Sequence, residues 1–140
     1  MTEATERRHE HEALHERIAE IRLAARAIPF LSLDERRRLL ARITDFLEET
    51  LLPHAEDEEQ SFYPAVARAL GRPRATGTML RDHDAIREHV ALLELTAPAN
   101  EARLQELLYA LYALISVHFW KEEVEYFPLL DRGDLTSLAQ

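Results

Sequence analysis

Two histidine–glutamate pairs stand at one spacing in this sequence, His54 with Glu58 and His118 with Glu122. Residues four apart on a helix share a face, about one turn apart. That face is the apolar one in both cases. Leu40, Ile43, Leu47 and Leu51 lead to the first pair, and Leu107, Leu111 and Leu114 lead to the second. His83 falls within a third stripe (Met79, Ile86, Val90, Leu93), and His15 borders a fourth (Leu14, Ile18, Ile21, Ala25, Ile28). Four histidines and two carboxylates are thereby expected to point inward. A buried, unpaired carboxylate costs several kcal/mol and ordinarily neutralises instead. A pair of divalent or trivalent cations supplies the missing compensation, since imidazole suits iron, zinc, copper or nickel and carboxylates bridge two metals. Each ion would take two histidines and share both carboxylates, leaving room for an oxo or hydroxo bridge or an exogenous ligand. A single inward histidine is ordinarily a hydrogen-bonded core residue; two pairs in register, joined by two more inward histidines, are not.

The elements that must position these residues are helices. Only three glycines occur, and Leu, Ala, Glu and Arg abound. The pattern predicts a first helix over about 6–27, ending before Pro29. A second opens at Ser32, with Glu35 completing a capping box, and is kinked at Pro53 before resuming to Tyr63-Pro64 and a short turn to Leu70. A third starts at Thr78. A fourth is capped by Asn100 and stops near Phe127-Pro128, leaving 131–140 as a tail. Short loops imply an all-α, antiparallel up-down four-helix bundle forming one domain over 1–140, with its core at about 6–130. The middle of the fourth helix, L-L-Y-A-L-Y-A-L-I-S-V, is apolar nearly all round, as in a central helix or a subunit contact.

The two halves repeat. H-A-E-D-E-E-Q-S-F-Y-P from His54 matches H-F-W-K-E-E-V-E-Y-F-P from His118 at an offset of 64: 54 to 118, 58 to 122, 59 to 123 and 64 to 128. His15 and His83 are each followed by an acidic residue and, three positions on, by isoleucine. A duplicated helical hairpin packed with pseudo-two-fold symmetry would bring the matched polar residues to the bundle axis.

At these residues the sequence resembles the hemerythrin-like, or HHE cation-binding, family, from about His9 to Leu130. The resemblance implies a four-helix bundle around a non-haem di-iron centre that binds dioxygen reversibly, senses iron, oxygen, nitric oxide or redox state, or removes peroxide. Carried over by position, it implies His15, His54, Glu58, His83, His118 and Glu122 as ligands. Two departures stand out. The family's oxygen carriers place a second histidine four residues after the one on the third helix, where this chain has Arg87. They also take their last carboxylate five residues after the fourth-helix histidine, which is Glu123; symmetry with Glu58 favours Glu122 here. His11, one turn before His15, is a candidate fifth histidine, and Glu59 and Glu123 are expected beside the ligands or in water. His9 and His89 are expected in water.

Composition narrows the alternatives. The 140 residues carry a formal net charge of −9, which disfavours nucleic acid and anionic membrane as partners. No cysteine is present, so disulfides, thiolate sites and thiol catalysis are excluded. The polar N-terminus and the lack of a long apolar run point to a soluble cytoplasmic protein, either monomer or homodimer. H-E-A-L-H, from His11 to His15, matches a zinc-protease signature, but that motif needs a third ligand and a cleft beside a sheet, and no strands are expected. Only Glu12 to His15 offers the E-x-x-H of ferritin-like sites, which need two. The expected function is binding or sensing of dioxygen, nitric oxide, peroxide or iron status at two iron ions. The alternative is a catalase- or peroxidase-type enzyme in which Tyr63, Tyr126 or Trp120 donates electrons or hydrogen bonds; iron storage is a third, weaker reading.

Overall fold

A computed structural model describes residues 3–132. Helix α1 (Glu3–Ala27) ends in a short 3-10 turn, Ile28–Phe30, with Pro29 in it. Along α1, Ala4, Arg7, His11, Leu14, Ile18, Ile21, Ala25 and, just beyond it, Ile28 are all buried at alternating steps of three and four, the spacing of a single helix face.

Ser32 opens α2 (Leu33–Phe46) with both hydrogen bonds of a capping box: its hydroxyl accepts from the Glu35 amide, and the Glu35 carboxylate accepts from the Ser32 amide. The rod then runs on through a π-turn (Leu47–Leu51), α3 (Leu52–Asp57), a second π-turn (Glu58–Phe62) and α4 (Tyr63–Leu70). Gly71, at φ 68°, closes it in the left-handed conformation that glycine adopts without a Cβ penalty. Helix α5 spans Gly77–Leu95. Helix α6 (Glu101–Lys121) is capped by the Asn100 side chain, which accepts from the Arg103 amide, and continues through a third π-turn, Glu122–Tyr126.

The expected stop at Phe127-Pro128 is corrected: the chain stays helical over 127–132. The same device carries the chain past Pro53, Pro64 and Pro128. In each case the residue before the proline donates its amide five residues back: Leu52 to Leu47, Tyr63 to Glu58, Phe127 to Glu122. Proline lacks the amide that an α-turn requires and clashes with the carbonyl four residues earlier, and a widened turn immediately before it relieves both. Residues 133–140, most of the expected tail, lie outside the described residues.

The structure is thus four helical rods, with no strand among the described residues. Helix α6 packs against both α1 and α5. Leu104, Leu107, Leu108, Leu111 and Ile115 of α6 join α1, α2 and α5 residues in one apolar cluster that fills most of the interior. A smaller cluster of Phe62, Tyr63, Val66, Met79, Tyr126 and Phe127 lies beyond the polar residues that follow Ile115. No described helix is long and apolar enough to cross a membrane.

Candidate metal centre

The polar residues between those clusters converge. Glu58 and Glu122 are fully buried, at 0% exposure. Glu58 divides its oxygens between two pairs of histidines. Oε2 lies 3.5 Å from His54 Nε2 and 3.9 Å from His11 Nε2. Oε1 lies 3.2 Å from His83 Nε2 and 3.8 Å from His118 Nε2. Glu122 Oε1 spans the same divide, 3.3 Å from His11 Nε2 and 3.5 Å from His118 Nε2.

All four carboxylate oxygens of Glu58 and Glu122, and the Nε2 atoms of His11 and His54, are buried without a hydrogen-bond partner. Leaving such groups unsatisfied costs free energy, more so for charged ones. The shortest approaches of Glu58 and Glu122 to the imidazoles, 3.2 and 3.3 Å, are those of atoms around a shared cation, since two donors each about 2.1 Å from one ion sit roughly 3.0–3.4 Å apart. The donor set, imidazole nitrogen and carboxylate oxygen without thiolate, fits first-row metals such as iron, zinc or manganese. Three groups of donor atoms lie within 4.8 Å of one another: His11–His54–Glu58 and Glu58–His83–His118, which share Glu58, and His11–His15–Glu123 at the rim.

The other ring nitrogen of each imidazole faces outward to a carboxylate. His83 Nδ1 is 2.9 Å from Glu59, His118 Nδ1 is 3.0 Å from Asp82, and His11 Nδ1 is 3.3 Å from Glu123. His54 Nδ1 lies 3.1 Å from Glu10. An ionised carboxylate only accepts, so Nδ1 carries a proton in each ring, and a cation that displaces any second proton meets an inward Nε2 lone pair. His83 Nε2 and His118 Nε2 approach to 3.0 Å, and the Tyr63 hydroxyl sits 3.1 Å and 2.8 Å from them. A phenol has one proton to donate, so two facing lone pairs call for a further positive charge between them.

Packing fixes the rings. Phe119 stacks on His11 with centroids 4.0 Å apart, and Tyr63 stacks on His83 at 5.3 Å. Glu58 and Glu122 are the first residues of their π-turns, which place Glu59 and Glu123 within reach of imidazoles on α5 and α1. A small cavity lined by Leu51, Ala55, Ile86, Ile115, Phe119 and the rings of His54, His83 and His118 has room for about one water-sized molecule.

Electrostatics follow the burial. Burial, then the neighbouring Glu58, pushes the Glu122 carboxyl up to about 8. Burial raises Glu58 too, but the close approach of Glu122, His11, His118 and His54 outweighs it and holds Glu58 well below the usual carboxylate range. Burial opposes charge on His11, yet Glu122 and Glu58 push it up to about 9. Tyr63 is raised above the ordinary phenol range by burial and by the charges of Glu58 and Glu122.

Of the six residues expected at the centre, His54, Glu58, His83, His118 and Glu122 are brought together. His15 stands at the rim, its side chain 51% exposed and its Nε2 2.6 Å from Glu123. His11, 1% exposed, takes the inward place on α1. The cause is helical phase: His11 continues the buried series Leu14, Ile18, Ile21, Ala25, whereas His15 is one residue off it. The two histidines of H-E-A-L-H therefore direct their Nε2 atoms at different glutamates. Arg87, where the family's carriers have histidine, is bonded to Glu59. His89 is held by its own helix, Nδ1 2.7 Å from the Ala85 carbonyl. Trp120 is exposed.

Sequence reasoning did not single out Glu10 or Asp82. Each immediately precedes an inward histidine, His11 and His83, and the acid–histidine dipeptide repeated on two helices was the available signal.

Four imidazoles and two carboxylates carried by helices into one dry interior define a helical cation-binding domain. The chain belongs to the Hemerythrin HHE cation binding domain family, which matches residues 4–131. No curated protein and no solved structure matches it.

Proposed function

We propose that this domain is a non-haem di-iron protein that binds or senses dioxygen or a related small ligand, such as nitric oxide or peroxide. The observation that supports two cations is the division of Glu58, one oxygen toward His11 and His54 and the other toward His83 and His118. On this reading His11 and His54 serve one ion, His83 and His118 the other, and Glu58 and Glu122 serve both. His15, expected in the ligand set, instead supports Glu123 at the rim. Bound iron would supply redox-active Lewis acids to a small ligand, and the cavity beside His54, His83 and His118, with room for about one water-sized molecule, lies next to the donors. The protein's own part is to exclude water with Leu51, Ile86, Ile115 and Phe119, and to hold four Nδ1 protons outward.

The same proposal takes the bundle as antiparallel, with a two-fold repeat of a helical hairpin. The equal offset of 64 between the two π-turns, each opening on an inward glutamate and followed by proline, supports it. So do the buried stripes of α1 and α5, which align at 72: 11 to 83, 14 to 86, 18 to 90, 21 to 93. We place its action in the cytoplasm, in keeping with its lack of cysteine.

A second reading, peroxide breakdown, is favoured by Tyr63, a buried hydroxyl at two of the imidazoles. One preparation tests both. Metal analysis is expected to give about two irons per chain, with a visible charge-transfer band that responds to oxygen or nitric oxide. Oxygen evolution from peroxide selects the enzyme. A protein that takes up no iron, or only one ion, rejects the two-cation centre.

A further inference from the structure

Every carboxylate that holds an imidazole is itself held by a basic group. Arg87 bonds Glu59, the acceptor for His83. Lys121 bonds Asp82, the acceptor for His118. Arg7 lies 3.3 Å from Glu10, and His15 2.6 Å from Glu123.

We propose that Arg87 and Lys121 are positioning residues for the metal centre: through Glu59 and Asp82 they lock His83 and His118 into the orientation and tautomer in which both Nε2 lone pairs face the same ion. The inference rests on the cation-site reading and deepens it.

The argument begins with freedom. Glu59 and Asp82 are partly exposed, with side chains 28% and 26% accessible, so water competes with the rings for them. A glutamate that turns outward leaves Nδ1 with no acceptor, and the ring then exchanges its proton between nitrogens or rotates. At most histidines that costs little. At these two it matters, because their Nε2 atoms are 3.0 Å apart, and a proton on either would occupy the space the ion needs. The basic groups are placed to prevent it. Arg87 is four residues after His83 on α5, so one helix face delivers both the ring and the clamp on its acceptor. Lys121 is three residues after His118 on α6 and reaches back to Asp82 of α5, so the two helices hold each other's partners. Arg87 thus does different work from the histidine found there in the oxygen carriers: it acts on a ligand from outside.

Zinc-loaded protein, which is diamagnetic, gives the test. Imidazole nitrogen–proton correlation spectra are recorded for wild type, Arg87→Met, Arg87→Lys, Lys121→Met and Lys121→Arg, with zinc content measured on each sample. Wild type is expected to show Nδ1-bound protons on all four buried rings. Arg87→Met should broaden or shift the His83 proton alone, and Lys121→Met that of His118 alone. Each should weaken zinc binding by up to about tenfold, the lower end of the loss for an outer partner of a metal-bound histidine. The Lys and Arg replacements should restore the wild-type signals. Unchanged rings in both Met variants at full zinc content overturn the proposal, as does a uniform change in all four rings accompanying a lower melting temperature. A wild type that retains no zinc overturns the centre itself, and the metal analysis separates that outcome from the others.

Discussion

The amide of Tyr63 donates to the carbonyl of Glu58, five residues back, and that π-turn hydrogen bond stacks the phenol above the carboxylate-bearing residue. In an uninterrupted α-helix residues five apart diverge around the axis; the widened turn realigns them. The ring is thereby carried beneath the centre, where its hydroxyl meets His83 and His118. Pro64, next in sequence, requires the same widening, so one local feature serves both the chain's continuity and the site.

Tyr63→Phe removes that hydroxyl and little else, because the ring stays packed between Phe62 and His83. Metal content should hold. The metal-free protein should lose about 1–2 kcal/mol in urea unfolding, the usual effect of deleting a buried hydrogen-bond donor. If the domain degrades peroxide, turnover should fall by about a hundredfold, as for loss of a proton donor. Unchanged peroxide turnover alongside the stability loss would assign Tyr63 to packing.

Metal-free and metal-loaded protein should respond oppositely to pH. Glu122 is raised from 4.5 to about 8 and His11 from 6.5 to about 9. Both values lie above those of the unfolded chain, so the metal-free native state binds more protons, and its stability falls as pH rises from about 5 to 9. Glu58 acts in the other direction, but its loss of stability lies below the ordinary carboxylate range. Cations must displace the protons on Glu122 and His11, so metal affinity rises across the same window. Urea midpoints at several pH values, with chelator and with metal, check this. A metal-free midpoint that climbs between pH 6 and 9 would contradict the shifts.

Much of the fold could be read from sequence, and for identifiable reasons. Ser32, Glu35 and Asn100 are polar caps at the ends of apolar-periodic segments, and the structure uses them so. The inward faces of His54, Glu58, His118 and Glu122 follow from unbroken leucine stripes. The π-turns could not be read, because proline in a helical pattern signals a kink or stop, while the widened turn is a backbone response with no residue type of its own. His15 is matched to His83 by a short local pattern, His-acid-x-Ile, at an offset of 68, whereas the longer buried stripe matches at 72 and pairs His11 with His83. The difference is four residues, one helical turn, so either histidine leaves the helix amphipathic. Burial depth separates them, and depth is a tertiary property.

Ile115→Ala probes the apolar wall. Ile115 is fully buried and lines the cavity beside His54, His83 and His118. Truncation should cost about 2–5 kcal/mol in urea unfolding, as for other buried isoleucines. Its atoms touch the space beside the donors without supplying one, so iron content should remain while azide, bulkier than dioxygen, gains access. Spectroscopic titration with azide measures this. Loss of iron in parallel with stability would show that the wall and the donor set are not separable.

His11→Ala and His15→Ala distinguish the two histidines of α1. His11 is buried with Nε2 facing Glu122 and Glu58 and its ring stacked on Phe119, so its loss removes a donor and opens a gap beside the aromatic ring. The expected result is a loss of about one of two cations, or a drop in affinity well beyond the roughly 10–100-fold expected for an outer partner. His15 is half exposed, bonded to Glu123 and set edge-on to the rings of His11 and Phe119, so its loss should leave stoichiometry intact and weaken binding by about tenfold at most. Titration of the metal-free variants with ferrous iron, read by calorimetry, compares them directly. If His15→Ala empties a position and His11→Ala does not, α1 presents the other face to the metals, and the stripe from Ala4 to Ile28 does not set the register of the site.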